Sequence, residues 1–401
     1  MNPESPENPS SRLAALKALI LRLHEGEDLD TIRLELAGQG ESTSPGEVLA
    51  LEQELLAEGL PLEELQAYCD LHTAVLRDFL PPLEASNLPP GHPLDTFHRE
   101  NLALASLVCA LRAAFQVLLT ARTPQEAEQL YWLCRQAASD LMDIEKHYLR
   151  KRRLLYPVLE TKNITCPTQV MQAKDAEILA SLTAMHDKLA EDPSLGGNGK
   201  TFVSWVAEPA LKAVEEMIYK EDNILFPIAH ETLTGEEWDK IWLDSPRFGW
   251  CLTEPRDGFR PSSRTPTAAG DSCPEFETLF LRNGILSLPQ LEALFQNLPA
   301  DLTFVDADDI IRFYSDGSEP VVPRKSIILG RRARYAYPPK HVDKILSILE
   351  DFHAGRREYA EHIFEFRRKT ILARYYALRG ETGAYLGALE FKQIIGEGGN
   401  S

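Results

Sequence analysis

One stretch of this chain occurs twice. HYLRKRRLLYP at residues 147–157 resembles MIYKEDNILFP at residues 217–227, 70 residues further on. Each copy ends in an apolar pair, an aromatic residue and a proline. A repeat of this period is a supersecondary unit that needs a neighbour to bury its apolar side. Two such helix pairs close most simply as an antiparallel four-helix bundle. Apolar spacing around the repeat predicts helices near 94–120, 124–155, 168–192 and 203–229, and a short helix after Thr234. Thr123-Pro124-Gln125-Glu126 has the form of a helix start, with a capping box and proline at the first helical position. The segment GGNGK at 196–200 reads as a turn.

The flanks differ from this middle. Residues 1–11 are rich in Pro and Ser and read as disordered, and 12–80 read as an N-terminal domain of short helices. Leu13, Leu16, Leu19, Ile20 and Leu23 keep helical spacing up to Gly26, Ser44-Pro45-Gly46-Glu47 is a further helix start, and Pro61 opens a helix through Asp70, His72 and Phe79. The bundle takes 92–245, and the Pro-, Ser- and Thr-rich stretch 251–274 is a linker. Over 275–395, LTFVDADDIIRFYS reads as strand, tight turn and strand, PPKHVDKILSILEDFHAG as one helix, and YAEHIFEFRRK, ILARYYALRG and YLGALEFKQI as three strands. The fold class is multidomain, α and α+β: a helical domain, a four-helix bundle, and an antiparallel sheet with helices.

Charge narrows the partners. With 42 basic and 61 acidic residues the formal charge is −19, which speaks against nucleic acid and against an anionic membrane surface. No uninterrupted apolar run approaches the ~20 residues of a membrane span, and the acidic start lacks a secretory signal. Six cysteines include no C-x-x-C pair, so neither a disulfide framework nor a zinc knuckle is expected, and Cys109 and Cys134 read as buried thiols. These features place the chain in the cytoplasm. No G-x-S-x-G, H-E-x-x-H, P-loop or activated-cysteine pattern supports an enzyme.

His92-Pro93, His98-Arg99-Glu100-Asn101, His147 to Pro157 and Glu216 to Pro227 together resemble the hemerythrin-like HHE cation-binding family. The run Leu16 to Glu27, the helix Glu52 to Gly59 and Cys69-Asp70-Leu71-His72 resemble the helical domain of unknown function that precedes such bundles in a bacterial architecture. Gly330-Arg331-Arg332, Pro338-Pro339-Lys340, Glu350-Asp351-Phe352 and Tyr385-Leu386-Gly387 resemble the PAS domain that follows them. The resemblance implies imidazoles and carboxylates around two non-haem irons. A retained site would use His147, Glu221, Glu100, Asp175 and His92. Against the family pattern, Lys151 and Arg152 stand where a carboxylate is expected, Asn101 where a histidine is usual, and Met217 at the repeat mate of His147.

The repeat offset pairs Lys151 and Arg152 with Glu221 and Asp222. A fixed cation can neutralise inward carboxylates in place of a metal, so an ion pair between these positions is one expectation. An exposed pair of small energetic weight is the plainer alternative. Among other histidines, His72 beside Cys69 reads as packing, His186 and His230 as surface or capping residues, and His24 as a cation near a helix C-terminus. The resemblance implies a PAS pocket that Tyr335, Tyr337, Tyr375 and Tyr376 would line, with ordinary sheet packing as the alternative, and the run from Arg331 to Arg334 either meets an anionic ligand or the acidic helical domains or, more plainly, is a solvated face. The expected function is a non-enzymatic sensory or regulatory protein acting through a protein partner, with a small-molecule or redox ligand and a homodimer through the PAS domain as further options. Alternatives are a di-iron protein that binds oxygen or senses iron, and an interaction scaffold without cofactor.

Overall fold

The computed structural model describes residues 9–38, 46–47, 50–51, 54–55, 58–59, 88–121, 123–191, 199–261, 278–281, 283–315, 321 and 326–397. The expected features at Ser44-Pro45, Pro61, Cys69, His72, residues 196–198 and most of the 251–274 linker lie outside these residues, as does the His24 side chain. The chain divides into two compact units. The first comprises residues 1–134, 147–245 and 255–263, and the second comprises 135–146, 246–254 and 264–401.

At the start of the first unit, helix α1 (Pro9–His24) packs on α2 (Leu29–Gly38) through Leu16, Leu19, Ile20, Leu23, Ile32 and Leu36. Arg22 ties the pair by bonding both Glu27 and Glu35. The long helices follow. Helix α3 (Pro93–Leu118) begins where Pro93 supplies a preset φ and His92 Nδ1 accepts the Leu94 N–H at 3.1 Å. Helix α4 (Pro124–Leu141) starts on Thr123, whose hydroxyl accepts the Glu126 N–H at 3.2 Å. Helix α5 joins Ile144–Arg150, a π-helical turn Lys151–Leu155, and Tyr156–Thr161. Helix α6 is Cys166–Glu191. Helix α7 joins Gly199–Phe202, Val203–Ala207, Glu208–Lys220, Glu221–Leu225 and Phe226–Thr232, the second and fourth segments being π-helical. Helix α8 (Gly235–Asp244) starts on the capping box of Thr234 and Glu237. In the first unit α7 packs on both α3 and α6, and the Tyr131 hydroxyl of α4 donates to Leu189 O of α6 at 2.6 Å.

The π turns have a common local cause. Each ends two residues before a proline: Leu155 before Pro157, Ala207 before Pro209 and Leu225 before Pro227. A proline inside an α-helix drives its ring into the carbonyl four residues back and removes one N–H. One wider turn relieves the clash, and the N–H groups of Tyr156 and Phe226 bond five residues back, to Lys151 O and Glu221 O. The sequence repeat is thereby a repeat of backbone geometry.

In the second unit, residues 301–397 form a five-stranded antiparallel sheet in the strand order 311–314, 301–306, 385–397, 369–379, 359–366. The strands are β3 (Asp301–Asp306), β4 (Ile311–Tyr314), β5 (Tyr359–Phe366), β6 (Lys369–Arg379) and β7 (Tyr385–Glu397). A hairpin, β1 (Thr278–Leu281) with β2 (Gly284–Ser287), and helix α9 (Leu288–Gln296) precede them and are not foreseen from sequence. Helix α10 (Pro339–His353) lays Val342, Ile345, Ile348, Leu349 and Phe352 against Val305, Ala373, Tyr375 and Ala388. Gly387 in β7 has φ +141°, and a Cβ there would run into Val305 O, which gives a steric reason for the glycine that closes Tyr385-Leu386-Gly387.

Three expectations are corrected. The single helix 124–155 is two helices, broken at Met142-Asp143 and continued past Pro157 by the π turn. Gly199 and Lys200 open a helix instead of lying in a turn. Cys109 is exposed, because it sits on the face of α3 opposite Leu104, Val108 and Leu111, whereas Cys134 is buried. Helix α3 is the one helix among the described residues long and apolar enough to cross a membrane by composition, yet its inner face carries buried Glu100 and Asn101.

Candidate functional site

Residues 147, 150 and 151 are spaced by three and four, so a helix presents them on one face. On α5 these are His147, Arg150 and Lys151, each no more than 1 % exposed. Three cations in an apolar interior demand carboxylates. Glu100 on α3, Asp175 on α6 and Glu221 on α7 supply them, at 0, 4 and 1 % exposure.

The six side chains form a line in which charge alternates. Arg150 Nη2 donates to Glu100 Oε2. The same oxygen lies 2.8 Å from His147 Nδ1. His147 Nε2 lies 3.0 Å from Glu221 Oε2. Lys151 Nζ donates to the other oxygen, Glu221 Oε1, and to Asp175 Oδ1 at 2.8 Å. The Tyr156 hydroxyl ends the line, donating to Asp175 Oδ2 at 3.2 Å. With both ring nitrogens facing carboxylates, His147 is held as imidazolium, and the three cations balance the three anions.

Aromatic rings wall the line from water. The Phe97 ring meets His147 edge-on at 5.1 Å and lies 4.7 Å from the Arg150 guanidinium. Lys151 Nζ stands 4.2 Å from the centre of the Tyr148 ring. Burial opposes every charge here, so the partners decide each direction. Burial lowers the His147 pKa, but Glu221 and Glu100 outweigh it and raise the value. Burial likewise lowers Lys151, and Asp175 and Glu221 raise it above its ordinary value. Burial raises Glu221, yet Lys151 and His147 bring it down to about 2. For Asp175 burial prevails over Lys151 and the carboxyl is pushed up to about 6. Tyr156, buried beside Asp175 and Glu221, is raised well above 10.0.

Of the metal set anticipated from sequence, the structure brings together His147, Glu221, Glu100 and Asp175. His92 is elsewhere: it caps α3, packs on Trp238 and Phe259 at 5.0 Å each, and burial lowers it to about 4. Of the ion-pair set, Lys151 and Glu221 meet. Arg152 is exposed and Asp222 half-buried, because one residue beyond the 147/150/151 and 217/220/221 face turns each away. Asp222 instead bonds His98 Nδ1 at 3.2 Å and Asn101 Nδ2 at 3.0 Å. Sequence reading missed Arg150, Tyr148 and Tyr156. The spacing from His147 was the available signal for Arg150. His186, expected at the surface, is buried beside Leu182, Met185 and Leu189 of α6, whereas His230 is exposed.

The donor set does not fit a metal as it stands. Both His147 nitrogens are engaged by carboxylates, and an ammonium lies between the oxygens of Asp175 and Glu221. No group of three or more His, Cys, Asp and Glu side chains with metal-holding geometry occurs among the described residues.

In the second unit, Tyr337 and Tyr375 converge on one carboxylate. Their hydroxyls donate to Glu390 at 3.1 and 2.9 Å, and Lys392 Nζ lies 2.9 Å from the same group. Tyr335 is buried with the Arg334 guanidinium 5.3 Å from its ring, while Tyr376 is exposed. Arg331 is largely enclosed by its ion pairs, and Arg332 is paired while its side chain stays partly exposed. Arg331 bonds Asp143 at 2.7 Å and Asp140 at 3.0 Å, Arg332 grips both oxygens of Glu145, and Lys146 Nζ donates to Ile327 O at 2.5 Å.

Comparison with known families gives three matches along the chain. A family of unknown function (DUF438) matches residues 16–81, the hemerythrin HHE cation binding domain 92–229, and a PAS domain 291–395. No curated protein matches. Among solved structures, a crystal structure of a C-terminal domain from Streptococcus mutans is 31 % identical over 30 % of this chain and 93 % of its own, with a TM-score of 0.29.

Proposed function

Because this chain carries a hemerythrin HHE cation binding domain between a DUF438 segment and a PAS domain, we propose that it is a cytoplasmic, non-enzymatic regulatory protein whose bundle interior is held by ion pairs in place of metal. One observation carries the reading. The chain's own cations, His147, Arg150 and Lys151, engage the buried Glu100, Glu221 and Asp175 that a metal would otherwise hold. A regulatory input would act by giving these charges different partners in two states. The output passes to a protein partner, with a homodimer through the PAS domain as one route and a small-molecule or redox ligand as one input.

Hydrogen exchange on the full chain tests the reading. Glu221→Gln breaks the line of ion pairs, and faster exchange is expected at residues 147–155 and 217–225. Unchanged exchange at both segments would mean that the ion pairs do not hold the interior, and would defeat the reading. A second reading, a di-iron protein, draws on the cation-binding family match and on the meeting of His147, Glu100, Glu221 and Asp175. About two irons per purified chain would favour it over the ion-pair reading.

A further inference from the structure

We infer that the Lys151 ammonium is a tethered cation standing in a divalent-metal position, and that removing it alone opens a site for an oxygen-preferring divalent ion. This rests on the reading of the wild-type bundle as ion-paired. It goes further, because it assigns one side chain as the occupant and names what takes its place.

Two carboxylate oxygens converge on the ammonium. Glu221 Oε1 and Asp175 Oδ1 bond Lys151 Nζ directly, and the Tyr156 hydroxyl holds the second oxygen of Asp175. The two oxygens come from helices α7 and α6, and the lysine from α5, so the oxygens are brought together by helix packing. Each carboxylate has an anchor besides Lys151: Glu221 Oε2 lies against His147 and Asp175 Oδ2 against Tyr156. The oxygens therefore keep their orientation when the ammonium leaves. Two carboxylates with a hydroxyl at the edge suit Mn(II), a hard ion with a preference for oxygen, better than Zn(II) or Cu(II). The lysine stem enters from α5 past the Tyr148 ring, 4.2 Å from Nζ. Truncation at Cβ leaves a polar gap where the ion and its waters can sit. A bound dication also restores the neutral balance that loss of the ammonium upsets.

The test uses the full chain, purified with and without chelator, and Mn(II) as probe. Wild-type protein is expected to hold no stoichiometric Mn(II) after dialysis and to melt at the same temperature with or without it. Lys151→Ala is expected to take up about one Mn(II) per chain, with a bound-ion signal in electron paramagnetic resonance and a melting temperature that rises with Mn(II). Adding Asp175→Asn to Lys151→Ala should weaken that binding by roughly 10–100-fold. If Lys151→Ala does not fold in chelator, recovery on refolding with Mn(II) is the expected readout. Stoichiometric metal in the wild type overturns the underlying ion-pair reading. A metal-free wild type together with a Lys151→Ala protein that neither binds Mn(II) nor is stabilised by it overturns the inference itself.

Discussion

Lys151 holds two carboxylates that would otherwise face each other in a dry interior. Replacing it with the similarly long Met removes the charge without emptying the space. Breaking a buried pair in this way costs about 3–5 kcal/mol, because an uncompensated charge remains. Asp175→Asn on that background removes one of the two stranded charges and should return part of the loss. Equilibrium denaturation of the two single variants and the double gives the coupling. A Lys151→Met cost under ~1 kcal/mol, the size of an exposed pair, would contradict the buried geometry. The two carboxylates also predict opposite pH behaviour. Asp175 rises from 3.8 to about 6 on folding, so its favourable contribution is complete below 3.8 and is lost as pH climbs through 6. Glu221 falls from 4.5 to about 2, so its contribution is complete above 4.5 and is lost as pH drops toward 2. Stability measured against pH should therefore decline less between pH 4 and 7 in Asp175→Asn, and less below pH 4.5 in Glu221→Gln, than in wild type. A carboxyl carbon of Asp175 that titrates near 3.8 by NMR would reject the first assignment.

At the scale of elements, the hairpin joining β5 and β6 is strained. Its two turn residues, Arg367 and Arg368, have φ of 48° and 63°, and Phe366 pairs with Lys369 across the turn. That is the backbone of a two-residue primed turn, for which Asn-Gly is suited and arginine is not. Both arginines are exposed. Arg367→Asn with Arg368→Gly should stabilise the chain by about 1–2 kcal/mol, read from the denaturation midpoint. Gly387→Ala should do the reverse, because the added methyl meets the Val305 carbonyl across the β3–β7 ladder. These elements also show where sequence was readable. The three final strands and α10 announced themselves by alternation and by Pro and Gly at their ends. The hairpin β1–β2 and helix α9 did not: α9 buries none of its residues, and its one readable signal, the capping box of Ser287 and Gln290 with Pro289 at the start, was passed over. In the bundle, the 70-residue offset led directly to Lys151 and Glu221, but not to which member of each charged pair turns inward. That choice belongs to helical phase, and counting back four residues to His147 and Met217 selects Lys151 and Glu221 over Arg152 and Asp222. The meeting of Glu100 with His147 was legible only through family resemblance, since 47 residues and a helix reversal separate them.

Across the whole molecule, the formal charge of −19 and the neutral interior line respond to salt in different ways. Excess negative charge on the surface repels itself, and ions screen that repulsion over a Debye length of ~10 Å at 0.1 M and ~3 Å at 1 M. Exposed pairs such as Lys17 with Glu58 or Arg356 with Glu350 are screened as well, and each contributes little. The net result for wild-type protein should be a modest gain in stability as salt rises. Lys151, Glu221 and His147 admit almost no solvent, so ions cannot enter between them. The stability gap between wild type and Lys151→Met should consequently stay constant as sodium chloride rises from low to high concentration, even while both proteins shift together. Denaturant midpoints of the pair across a salt series check this. A gap that shrinks steadily with salt would mean that water and ions reach the line of charges, and the dry, ion-paired interior would have to be abandoned.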